Sequence, residues 1–166
     1  MRMTLLLLLA APTTLVAQQP PPACTAPIHR QLDFWIGEWV IADAAGKVMA
    51  ESSITGAAGR CAVMEHWMPV GQPDGVSINW VEPGDGKWHQ QWVGGEGWIA
   101  AFTGEFHDGV MSMVAAALRK TPQGEVLDKM TYQLQPDGAV HQTLYTSTDW
   151  GATWKGQPPI VYRRKQ

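Results

Sequence analysis

The chain has 166 residues, 45% hydrophobic and 16% charged, with a formal net charge of −3, nine Trp and two Cys. That length holds one domain with a sizeable core. The mildly acidic balance favours neither nucleic acid nor an anionic membrane as a partner.

The N-terminus opens with Arg2 inside Met1–Thr4, continues as the apolar run Leu5–Ala11, and reaches a small residue at Ala17. This pattern predicts a secretory signal peptide over 1–17, too short to span a bilayer as a mature helix. The mature protein is therefore expected outside the cytoplasm, in the periplasm or the medium, with no membrane span. No Cys directly follows Leu15–Ala17, so a lipid-anchored start is not expected. Cleavage after Ala17 leaves 149 residues and removes Arg2, giving 11 basic against 15 acidic groups, a charge of −4.

Residues 18–31 form a leash, extended by Pro20, Pro21, Pro22 and Pro27. Cys24 lies within it and Cys61 is the only other Cys. In an exported chain an even count reads most simply as one disulfide, tying the leash to the body. A free redox pair or metal ligation are the alternatives, and the pair lacks the CxxC spacing that favours either.

The domain proper is expected over 32–166. Leu32–Ala42, LDFWIGEWVIA, reads as its first strand: aromatic and β-branched residues around a Gly suit a strand better than a helix. Period two puts Trp35, Gly37, Trp39 and Ile41 on one face, with bare backbone at Gly37 for an indole to lie over. Gly-bearing turn signals then recur at Asp43–Lys47, Thr55–Gly59, Gly71–Gly75, Gly84–Lys87, Gly94–Gly97, His107–Gly109, Thr121–Glu125, Pro136–Gly138 and Asp149–Thr153. Nine turns separate about ten strands, which predicts an all-β antiparallel up-and-down barrel, closed so that no long edge stays exposed. Met113–Lys120, with three consecutive Ala, is the one stretch with helical character.

Parity within the strands sets Val63, Glu65 and Trp67 on one face, Ser77, Asn79 and Val81 on one face, and Trp88, Gln90 and Trp92 on one face. Trp sharing a face with amides and a carboxylate is the pattern of a lumen with aromatic walls and a few hydrogen-bonding groups. Turned outward, the same faces would expose many indoles and favour aggregation. The expected ligand-binding residues are accordingly Trp39, Glu65, Trp67, Asn79, Trp88, Gln90 and Trp92. Glu65 beside Trp67 would have a raised pKa if it faces inward; a structural ion pair with Arg60, Arg163 or Arg164 is the competing reading.

Gly37-x-Trp39 resembles the G-x-W signature of the calycins, the lipocalin and fatty-acid-binding-protein group of up-and-down barrels. The resemblance implies that Trp39 closes the barrel floor beneath a cation from the chain's end, here Arg163 or Arg164 in Tyr162-Arg163-Arg164. There is no helix after the barrel, and more strands are expected than a lipocalin's eight. A broader resemblance, to exported bacterial proteins of unassigned activity with a calycin-like barrel and an FWxGxW signature, rests on Leu32–Trp39, Gly59-Arg60-Cys61 with Glu65-His66-Trp67, Gly75-x-Ser77-x-Asn79, Trp88–Trp92 and Ser147–Trp154. It implies a fold and no activity. Ser147–Trp154 is also similar to the Asp box of sialidase-type propellers, a folded turn rather than a catalytic element.

Catalytic motifs are absent: there is no G-x-S-x-G, H-E-x-x-H, P-loop or dinucleotide fingerprint. The five His, at 29, 66, 89, 107 and 141, form no metal triad by parity, so no metal site is expected. Nitrobindin-type barrels of the same superfamily bind haem through a late His; here the last strand has none and His141 lies a strand earlier. The sequence thus leads to a binder of a small apolar or aromatic molecule. A lumen-sited enzyme using Glu65 or His89 as acid or base, and a non-binding envelope scaffold, are the alternatives.

Overall fold

The computed structural model describes residues 23–166; the expected signal peptide and the start of the leash lie outside them. Every expected turn falls at or beside a chain reversal. Between them run β1 (Gly37–Ala42), β2 (Val48–Ala57), β3 (Ala62–Pro69), β4 (Gly75–Val81), β5 (Trp88–Gly94) and β6 (Ile99–His107). There follow β7 (Val110–Ala115), β8 (Arg119–Thr121), β9 (Gly124–Leu134), β10 (Val140–Ser147), β11 (Lys155–Gly156) and β12 (Ile160–Arg164).

Antiparallel pairing runs from β1 to β7, then through β9, β10 and β12, and β12 pairs back onto β1. Ten strands therefore close an up-and-down barrel, with the short β8 and β11 outside it on β9 and β10. This is the all-β antiparallel barrel that the turn spacing predicts, compatible with the calycin architecture. Met113–Lys120 is not helical. Met113 belongs to β7, opposite Gly104 and Met130, and its fully buried side chain fits the alternation of an inward strand face.

The first strand is shorter than Leu32–Ala42. Asp33–Trp35 form a 3-10 turn, and the ladder begins only at Gly37, whose φ of 147° suits Gly alone. The turn places the Trp35 carbonyl where the buried Trp39 indole N–H can donate to it, at 2.8 Å. The carbonyls of Ile36 and Phe34 accept from the Arg164 guanidinium, at 2.7 and 3.4 Å. Arg164 arrives from β12, directly opposite Trp39, and stacks 4.1 Å from its ring centroid. A guanidinium, rather than an indole, thus covers Gly37, where a Cβ would collide with Arg164 Nη1. Arg163 points the other way, to Asp137 at 3.1 Å.

The leash is extended only in part, because Pro27–Arg30 wind into a second 3-10 turn. Pro27 sits at its start, where a missing N–H costs nothing. Together the two turns stop one end of the barrel. Cys24–Cys61 fastens this plug across a separation of 37 residues, Arg60 bridges to Asp33 at 2.6 Å, and Arg30 donates to the Cys24 carbonyl at 3.1 Å. Leu32 and Trp35 from the plug, with Trp39, Ile41, Ile54 and Trp88 from the strands, form the apolar base of the core.

Two outcomes follow for stability. Gly37→Ala both strains the backbone and displaces Arg164, so it should lower the denaturant-derived unfolding free energy by roughly 1–3 kcal/mol. Removing the disulfide with Cys24→Ser/Cys61→Ser should cost about 4 kcal/mol on the chain-entropy scale, seen as a lower Tm with the barrel's circular dichroism retained.

Candidate functional site

Alternation along each strand sends one set of side chains inward, and these stack in layers above the plug. The middle layer is polar. β2 supplies Ser52, β3 Glu65, β4 Ser77 and Asn79, β5 Gln90, β9 Tyr132, β10 Gln142 and β12 Tyr162. The layer above it is aromatic and aliphatic, with Trp67, Trp92, Phe102, Met130, Leu144 and Ile160 around a cavity of about 530 Å³. Glu65, Gln90, Tyr132, Gln142 and Tyr162 form its polar bottom, and Met49, Trp98, Arg119, Asp128 and Gln157 are also part of its lining. A cavity of that size suits a small organic ligand.

Glu65 is the centre of the polar layer. Ser52 Oγ donates to its Oε1 at 2.9 Å, Tyr162 OH approaches the same oxygen at 3.3 Å, and Ser77 Oγ approaches Oε2 at 3.5 Å. Asn79 Nδ2 donates to Ser77 Oγ and to the Val63 carbonyl, both at 3.1 Å, and Gln90 Nε2 donates to Asn79 Oδ1 at 2.7 Å. On the other side Tyr162 OH lies 3.0 Å from Gln142 Oε1, and Gln142 Nε2 donates to Tyr132 OH at 3.0 Å. No Arg, Lys or His joins these hydrogen bonds, so the ion pair with Arg60, Arg163 or Arg164 does not form.

A carboxyl that is 4% exposed and lacks a cation is costly to ionise. Burial pushes the Glu65 pKa from 4.5 up to about 7, against smaller opposing effects of the hydrogen bonds from Ser52, Tyr162 and Ser77. Burial likewise raises the Tyr162 phenol well above its ordinary value, helped by the nearby Glu65 charge. Tyr132 moves up for the same two reasons, burial first.

Of the seven residues expected to bind a ligand, Glu65, Trp67, Gln90 and Trp92 line the cavity. Trp39 and Trp88 lie beneath it in the apolar base, where Trp88 Nε1 donates to Gln31 Oε1 at 2.9 Å. Asn79, fully buried, connects Gln90 to Ser77 and does not reach the cavity. Trp92 takes its position because Gly75 has no side chain: a Cβ there would lie 2.5 Å from the indole ring. Sequence reasoning missed Ser52, Tyr132, Gln142 and Tyr162. Tyr162 carried a usable signal, since it shares a strand face with Arg164 two positions on. Gln142 and Tyr132 had none without the register of β9 against β10.

His89 faces outward and pairs with Asp85 at 2.9 Å, and His66 pairs with Asp74 at 2.6 Å on the exposed surface. Parity turns His141 outward between Val140 and Gln142. The cavity lining therefore contains no His to act as the late axial ligand of the nitrobindin type. Among the described residues, no group of three or more His, Cys, Asp or Glu is placed to hold a metal ion. In the Ser147–Trp154 turn, Asp149 accepts from the Thr153 backbone N–H at 2.8 Å and its hydroxyl at 2.6 Å, and from Ser147 Oγ at 2.6 Å. These bonds, Ser147's foremost, hold its pKa down to about 2.

No protein-family model matches the chain, and no curated protein matches it.

The Glu65 shift has a definite sign in stability. Its folded-state pKa lies above the unfolded one, so the contribution is fully present below about pH 4.5 and is lost as pH rises through about 7. Unfolding free energy should fall by roughly 3 kcal/mol across that window, and Glu65→Gln should flatten the profile. Urea midpoints measured from pH 4 to pH 8 read both.

Proposed function

We propose that the protein is an exported carrier of calycin type that holds a small apolar or aromatic molecule in its barrel lumen. One observation carries this reading: a cavity of about 530 Å³ with aromatic walls and a hydrogen-bonded polar bottom. Apolar walls supply most of the binding free energy, and a few polar groups at one end fix the ligand's orientation. Trp67 and Trp92 would stack on the ligand body, and Glu65 with Gln90 would meet its polar end. The disulfide, and the lack among the described residues of any helix long and apolar enough to cross a membrane, are compatible with export.

The raised Glu65 pKa favours a second reading, an enzyme acting inside the lumen. A carboxyl poised near neutrality suits general acid or base work. His89, turned outward, is not placed to share that role. A filled envelope scaffold is the poorer account, because a cavity of about 530 Å³ lies above the polar layer.

Titration with the neutral fluorophore N-phenyl-1-naphthylamine tests the carrier reading. The expected result is saturable one-to-one binding with quenching of Trp emission and a Kd in the micromolar range, about −8 kcal/mol. Leu144→Trp, which fills the upper cavity, should weaken it at least about tenfold, a loss of about 1.4 kcal/mol. Absence of saturable binding would count against an open lumen, whereas turnover of a substrate abolished by Glu65→Gln would move the assignment to an enzyme.

A further inference from the structure

Resting on the carrier reading, the charge layout of the cavity narrows the class of ligand. Its bottom holds one acid, Glu65, with Tyr132, Tyr162, Gln90 and Gln142 around it. β2 adds Ser52 to this surround and β4 adds Ser77, both neutral. The cations of the lining are already engaged. Arg119 makes a bidentate pair with Asp128 at 2.6 and 2.8 Å, and Lys129 Nζ sits over the Tyr145 and Trp154 rings at 4.6 and 4.3 Å. Arg164, at the plug, is spent on Trp39 and two backbone carbonyls. A ligand carboxylate at the cavity bottom would therefore meet an acid and find no partner of opposite charge.

The hydrogen bonds around Glu65 favour the same class of ligand. Tyr162 has one hydroxyl proton and two acceptors in reach, Glu65 Oε1 at 3.3 Å and Gln142 Oε1 at 3.0 Å. With Glu65 protonated, its own O–H donates to the Tyr162 oxygen, Tyr162 donates to Gln142, and every group is satisfied. With Glu65 ionised, Ser52 and Ser77 still donate to its two oxygens and Tyr162 still donates to Gln142, but the carboxylate is left without a counter-charge. An ammonium group supplies that charge, and its three N–H donors can reach both the carboxylate and the Gln142 oxygen.

We propose that the lumen selects an amphiphile with an apolar or aromatic body and a protonatable amine at its inner end, held by Glu65 and Gln142, and discriminates against carboxylates. The binding step balances as alkylammonium from solution plus protonated Glu65 giving an ammonium–carboxylate pair and one proton released to water. Since the free carboxyl titrates near 7, that proton is released mainly below neutrality.

Decylamine, decanol and decanoate, which share one chain and differ in the head group, test this by displacement of N-phenyl-1-naphthylamine from the intact protein near neutral pH. Decylamine should bind at least about tenfold more tightly than decanoate. Calorimetry in buffers of different ionisation enthalpy should show release of up to about one proton per decylamine below pH 6.5, falling towards zero above pH 8. In Glu65→Gln the ratio between decylamine and decanoate should collapse. Equal or tighter binding of decanoate, or decylamine binding without proton release, overturns the amine assignment. If decanol still displaces the probe in that case, the carrier reading survives alone. If none of the three binds, both fall.

Discussion

Ten strands closed into a barrel enclose more space than inward side chains readily fill, so the interior must be stopped at one end or remain a channel. Here the stop comes from the chain preceding the barrel. Two 3-10 turns fold under the first strand, and the carbonyls of Phe34 and Ile36, in and just after the second of them, accept from Arg164 of the last strand. Arg164 also stacks on Trp39, so one side chain joins the beginning of the barrel to its end, next to the β12–β1 pairing that closes the sheet. The disulfide fixes the plug from the outside. The rest of the architecture follows: a solid base, a polar layer on it, and a hollow above.

The polar layer is where folding and function pull apart. A barrel made only for stability would carry aliphatic side chains at Ser52, Glu65, Ser77 and Asn79, because buried polar groups contribute little net stability even when hydrogen-bonded. Instead these residues form a continuous network reaching Gln90 on one side and Gln142 on the other. Its one acid has no cation, and burial pushes its pKa up to about 7. Groups whose ionisation is shifted by burial and which border a cavity are characteristic of sites that meet a ligand. Under the proposed amine selectivity, the uncharged state would suit an empty lumen and the charged state an occupied one, which would give the network a reason to hold an acid rather than an amide.

Much of the barrel was legible in the sequence because its signals are local. Asp-Gly and Gly-rich turns recur at short spacing, and alternation assigned Val63, Glu65 and Trp67, then Ser77 and Asn79, then Trp88, Gln90 and Trp92 to faces that the structure turns inward. The Cys24–Cys61 pair followed from an even count in a chain whose N-terminus reads as a signal peptide. The first strand was overextended because Asp33-Phe34-Trp35 has strand-like composition, while its 3-10 turn depends on a guanidinium more than a hundred residues away. The height of each residue in the lumen was not legible either. Parity gives the face but not the layer, so Trp39, Trp88 and Asn79 could not be separated from Trp67 and Trp92, which border the cavity. Tyr132, Tyr162 and Gln142 meet Glu65 only through pairings between the last strands.

The central claim is that the hollow ends on a buried acid that is neutral because nothing compensates its charge. Selective labelling of glutamate side-chain carboxyl carbons with ¹³C, with Glu65 assigned by its loss in Glu65→Gln, gives the most direct reading. The resonance should titrate with a midpoint of about 7 in the ligand-free protein. A midpoint near the ordinary value of 4.5 would place Glu65 in water or beside a cation, and would contradict the account.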